Sequence, residues 1–178
     1  TPERIASAAQ LAAVSARRIE ANLSYALSQR NNHGISEAVG LWTVGLLFGE
    51  FRLARRWKET GRQSLERQVR RLVDSDGAFS QHSTNYQRVM LDACLWAIRL
   101  GERNNELLSP RCVEAVHRAA RFLWQLQDEA TGRLPRYGQN DGALLLPLTN
   151  CPPEDYRPVL QTAAAHAGQR WYPSGPWN

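Results

Sequence analysis

Apolar residues recur along this chain at helical rather than alternating spacing. From Ile5 to about Ser28 they fall at Ile5, Ala8, Ala12, Ile19, Leu23 and Ala26, close to one face of a helix. Gln29 to Gly34 is a polar break, and a strongly apolar helix is expected from about Ile35 to Gly49. A second, amphipathic helix is expected from Arg52 to Val73, with Gly61 dividing it in two. Asp74 to Gly77 reads as a turn. Ser83 or Thr84 then reads as the N-cap of a helix from Asn85 to about Leu100. After a loop from Gly101 to Ser109, Pro110 suits the first turn of a helix ending near Asp128. Thr131 to Pro158 is rich in Gly and Pro and has no clear period. A short helix, Val159 to Ala167, precedes a tail rich in Trp and Pro.

No two alternating runs flank a hairpin turn, so strands are not expected. The pattern predicts an all-α chain of antiparallel helical hairpins in layers. Residues 1–168 form the helical segment, and 169–178 a tail or the start of a linker.

At 178 residues the chain can bury one sizeable core. It opens at Thr1 in sequence that is already helix-like, which suggests a segment cut from something longer. No apolar stretch reaches the roughly 18 residues a membrane span needs. The residues alone leave the compartment open.

The formal charge is +5, and Lys58 is the sole lysine, so the positive charge is almost entirely arginine. Arginine grips carboxylate, sulfate or phosphate with a planar fork, which points to an anionic partner. Arginine as the ordinary surface cation of a GC-rich genome explains the same count. The basic residues are dispersed rather than massed on one stripe, which argues against nucleic acid. Cys94, Cys112 and Cys151 have no metal-ligand spacing, and neither metal nor cofactor is expected.

Three segments could carry chemistry. Asn31-Asn32-His33 stands before the most apolar helix, where Asn can cap it and a loop His is ordinarily solvated. Glu37 lies four residues after His33. If the helix reaches back that far, the two share a face and Glu37 could orient the imidazole. Equally, Glu37 is an acid well placed near a helix N-terminus. The second segment, Ser80 to Tyr86, ends on a tyrosine that could exchange protons with a substrate. With Met90, Ala93 and Ala97, Tyr86 could instead form a buried stripe. The third, Leu134 to Gly142, is dense in Gly, Asn, Asp and Arg, as turns and binding loops both are.

Taken together, these segments resemble the heparinase II/III-like polysaccharide lyases, whose relatives include alginate and heparan-sulfate lyases. The resemblance runs through Asn31-Asn32-His33, Glu37 to Leu41, Asp76 to Tyr86, Asn140 to Ala143 and Asp155 to Pro158. It implies an incomplete (α/α) toroid, followed in a full protein by a β-sandwich region, and a periplasmic or secreted location. It also implies β-elimination at a uronic acid in an acidic polysaccharide. On that resemblance Asn32 and His33 neutralise the sugar carboxylate, and Tyr86 donates a proton to the leaving oxygen. In a syn elimination Tyr86 also takes the C5 proton. Glu37, Gln81, Arg136, Asn140 and Asp141 are the implied substrate contacts.

Lyases of this kind generally use a further histidine from the region after the toroid, and His117 and His166 do not match it. The early helices of a complete toroid are absent too. This piece alone is therefore expected to show little or no lyase activity, and its apolar helix faces would favour self-association. Two other functions compete. One is a non-catalytic helical module that binds an acidic glycan or a protein. The other is a hydrolase, which would need two carboxylic acids such as Glu37 with Asp76 or Asp141.

Overall fold

The computed structural model describes residues 1–177 and is all-helical among them, apart from a single bridge between Val73 and Phe79. Six helices follow in order: α1 (Pro2–Ser28), α2 (Asn32–Leu47), α3 (Ala54–Leu72), α4 (Thr84–Arg103), α5 (Pro110–Leu126) and α6 (Arg157–His166). The expected elements are all present, with shifted ends. Helix α2 starts at Asn32, not Ile35, because Asn31 caps it and accepts the N–H of His33 at 3.0 Å. Helix α4 begins at Thr84 under the Ser83 cap, whose hydroxyl accepts the Tyr86 N–H at 3.1 Å. In the tail, Tyr172 is buried against the core, and Asn178 lies outside the described residues.

Gly61 does not divide the third helix. It sits within an unbroken α3, where a Cβ would lie 2.5 Å from the Trp42 N and 2.7 Å from the Ala38 O of α2. Gly45 of α2 faces Lys58 and Ala54 of α3 in the same way. The two glycines thus let the backbones of α2 and α3 touch at two levels. The roughly 1 kcal/mol a helical glycine costs is offset by that close packing.

The helices stack in two rows. Helix α4 packs on α2 and α6, while α3 packs on α1 and α5, and each row also contacts the other. Chain reversals at 29–31 and 48–53 make α1–α2 and α2–α3 antiparallel hairpins. The core between the rows holds Ile35, Trp42, Leu65, Met90, Leu91 and Leu123, all essentially inaccessible. Trp42 Nε1 donates to the Ala97 carbonyl at 3.3 Å, pinning α2 to α4 with its one polar atom satisfied. Met90, Ala93 and Ala97 are buried as the stripe reading expects, whereas Tyr86 is only half-buried.

Candidate active site

Helices α2 and α4 bring their N-termini to one end of the molecule. The link is Gln81, whose side-chain carbonyl accepts the Asn32 N–H at 3.0 Å. Helix N-termini carry unpaired N–H groups and a partial positive charge, so this end suits an anion. Each N-terminus is preceded by a non-glycine residue at positive φ, Arg30 at 52° and His82 at 53°. Such strain persists only where the surroundings over-determine it.

Asn32 is 8% exposed, and its Oδ1 is buried with no partner among the protein groups. His33, one residue on, is exposed. Burial raises the Glu37 carboxyl above its ordinary range, and the nearby His33 opposes that rise. Glu37 Oε2 is buried without a hydrogen-bond partner.

Tyr86 donates its hydroxyl proton to Asp141 Oδ2 at 2.6 Å. That bond is the main reason the phenol is raised above its ordinary range and the Asp141 carboxyl lowered below its own. Asp141 Oδ1 accepts from the Asn85 Nδ2 at 3.3 Å and from the Ala143 N–H at 3.1 Å. Asn85 and Arg88 were not among the expected site residues. Asn85 is fully buried, and its Oδ1 accepts from Arg88 at 2.8 Å. Arg88, 3% exposed, also donates to the carbonyls of Ala143 (3.1 Å) and Pro153 and lies 4.5 Å from the centre of the Tyr156 ring. A sequence signal for it existed. Arg88 and Asp92 stand four apart on one face of α4, in a stretch otherwise made of Val89, Met90, Leu91 and Ala93, where buried charges need partners.

The segment 135–143 crosses the start of α4 as a strap. Thr84 N–H donates to Tyr137 O at 3.1 Å, Thr84 Oγ1 to Pro135 O at 3.2 Å, and Ser83 Oγ to Gln139 O at 2.6 Å. Gly138, at φ 70°, is pressed so close to the His82 carbonyl that no side chain fits there. Beneath the strap lies a cavity of about 390 Å³ whose walls include Arg88, Arg133, Arg136, Asn140 and Tyr156. Arg136 and Asn140 thus meet at one cavity, while Asn32, His33 and Tyr86 are not in its wall. Asp141 sits between two wall residues, Asn140 and Gly142.

His117 and His166 are engaged with one another. His117 Nε2 is 3.0 Å from His166 Nδ1, and His166 Nε2 is 2.8 Å from Glu102 Oε1. Asp76 accepts the Ala78 N–H at 2.9 Å, and no shared hydrogen bond joins Glu37 to Asp76 or Asp141 among the described residues. No group of three metal-ligating side chains occurs there, and no described helix is long and apolar enough to cross a membrane.

The family model for the heparinase II/III N-terminus matches residues 9–131. This chain belongs to the heparinase II/III N-terminal family. The match spans Asn32, His33, Gln81 and Tyr86, and stops before the strap. A heparin-sulfate lyase from Bacteroides thetaiotaomicron is 33% identical over 82 residues, covering 46% of this chain and 12% of that protein. The crystal structure of heparinase III superimposes with a TM-score of 0.55 at 28% identity, over 58% of this chain and 16% of the other. The chain therefore spans less than a fifth of the length of these heparinase relatives. The likeness agrees with the all-α, toroid-like stacking of helical hairpins.

Proposed function

We propose that this chain supplies the carboxylate-neutralising pair and the tyrosine of a lyase that cleaves uronate-containing polysaccharide by β-elimination. The observation that carries the reading is the Gln81–Asn32 hydrogen bond, which unites the N-termini of α2 and α4. In this reading Asn32 and His33, at the positive end of α2, face the sugar carboxylate. Stabilising the negative charge that builds there as the C5 proton leaves makes that proton acidic. Tyr86 protonates O4 as the C4–O4 bond breaks and the C4=C5 double bond forms. In a syn elimination it would instead begin as the phenolate, take the C5 proton and pass that same proton to O4. Arg136 and Asn140 hold neighbouring sugars through the cavity beside the strap.

His117 and His166 bond to each other and to Glu102, and among the described residues share no hydrogen bond with Asn32, His33 or Tyr86. Residues 1–178 alone are accordingly expected to give little product. A second reading, a module that binds an acidic glycan without cleaving it, draws on the arginine-lined cavity. The test is the full-length protein and its Tyr86→Phe variant on uronate polysaccharides, following both retention and the ultraviolet absorbance of unsaturated uronate ends. The lyase reading expects product from the wild type, and its loss in the variant with binding nearly intact. Product from Tyr86→Phe at the wild-type rate would remove the role of Tyr86. Binding without any product from the wild type would favour the module.

A further inference from the structure

Tyr86 reaches the end of α4 already committed to a partner. A phenol has a single proton, and here it is directed to Asp141 Oδ2 at 2.6 Å. Asp141 is in turn fixed on three sides. The Ala143 N–H closes a turn onto its Oδ1, and Asn85 donates to the same oxygen. The strap that carries it is bonded along the first turn of α4 by Ser83 and Thr84. Behind these stands Arg88, which holds both Asn85 Oδ1 and the Ala143 carbonyl. A buried cation thus orders the amide, and the amide orders the carboxylate. So long a chain of bonds is more than a surface turn requires. It makes the position of one exposed carboxylate depend on a buried arginine.

We propose that Asp141 is a positioning residue for Tyr86, set in place by the Arg88–Asn85 pair, and not a contact for substrate. The inference rests on the lyase reading for its catalytic consequence. Asp141 fixes the phenol oxygen and keeps its proton in place, because a phenolate beside a carboxylate is disfavoured by like charge. Tyr86 then enters the reaction as the acid. A general base of the full-length protein takes the C5 proton, whose bonding pair forms C4=C5 as the C4–O4 bond breaks. The Tyr86 hydroxyl turns from Asp141, its proton passes to O4, which retains the electron pair of the broken bond, and solvent reprotonates the phenolate. An alkoxide leaving group is more basic than a phenolate, so the transfer remains downhill despite Asp141. The raised phenol and the lowered carboxyl agree with this arrangement.

The test substitutes Asp141→Asn, whose amide oxygen can still accept the Ala143 N–H and preserve the turn. The first readout needs no turnover. In the 178-residue chain carrying tyrosine labelled with ¹³C at Cζ, the Tyr86 signal is assigned by its loss in Tyr86→Phe. Its titration midpoint is expected to move to lower pH in Asp141→Asn. The second readout is the full-length protein. There kcat is expected to fall roughly tenfold or more with KM changed by less than about twofold. The alkaline limb of the kcat profile should move to lower pH, with partial recovery in Asp141→Glu. An unmoved Tyr86 titration overturns the proposal. So does a shifted titration without a change in kcat or its pH profile, and so does a change confined to KM, which would make Asp141 a substrate contact. A wild-type protein that forms no product sinks the lyase reading, while the titration still decides whether Asp141 governs Tyr86.

Discussion

Gln81 and Asn32, 49 residues apart in sequence, are joined by a hydrogen bond of 3.0 Å from the Asn32 backbone N–H to the Gln81 side chain. The Asn32 N–H belongs to the first turn of α2 and has no partner within its own helix. Gln81 therefore acts as a cap supplied from the approach to α4. Replacing Gln81 by Ala leaves that part-buried donor unpaired and should cost about 1–2 kcal/mol of unfolding free energy. Chemical denaturation measures the loss. If the two helix starts form one site, product formation by the full-length protein should fall by more than the change in folded fraction explains.

Gly138 and Gly142 offer a matched pair in the strap. Both have positive φ, 70° and 77°, but Gly138 is packed on the His82 carbonyl while Gly142 has open space around it. Alanine at 142 should cost only the left-handed penalty, about 1–2 kcal/mol. Alanine at 138 adds a backbone clash and should lift the strap from α4, at a total of roughly 3 kcal/mol. Thermal melts compare the two variants. Loss of the strap should also release Tyr86, so its phenol should titrate at lower pH in Gly138→Ala and little changed in Gly142→Ala.

Asp92 gives the fold a pH dependence of defined sign. Burial pushes its carboxyl up to about 6 from 3.8, against the pull of Arg88 and the N–H groups of Leu145 and Leu146. Because the folded state holds the proton more tightly, this group favours folding most below pH 3.8, and that contribution is lost as pH rises through about 6. The full span amounts to roughly 3 kcal/mol. Wild type and Asp92→Asn should be unfolded by denaturant at neutral pH and at about pH 4. The difference between them should shift in favour of wild type as pH falls. A constant difference would show that Asp92 is not held as the structure places it.

Much of the fold was legible along the chain because helix periodicity and capping are local. Asn31, Ser83 and Pro110 mark helix starts that the structure confirms, and the apolar stretch from Ile35 lies within α2. The polar residues Asn32 and His33 concealed the first turn of α2, since a polar stretch reads as loop until its cap is seen. Gly61 misled for a related reason. Its sequence neighbourhood holds a breaker, but its packing neighbourhood holds the α2 backbone. The site was legible only through resemblance. Tyr86 by itself read as core as readily as chemistry, and Asn85 and Arg88 were not singled out, because their partners Asp141 and Ala143 lie more than fifty residues away.

By itself the sequence determined that the chain is helical and where its helices lie within a few residues. These follow from contacts made within four residues. It did not determine which faces the helices bury, since Ile5 and Ala8 of the expected α1 face are exposed. Tertiary structure decided what lies beside what: Gln81 against Asn32, Asp141 on Tyr86, and Arg88 beneath both Asn85 and Ala143. Those bonds span up to 55 residues, and the approaches to α2 and α4 hold Arg30 and His82 in left-handed conformations that no local preference calls for. Only the assembled packing of α2, α4 and the strap makes such conformations the lowest in free energy.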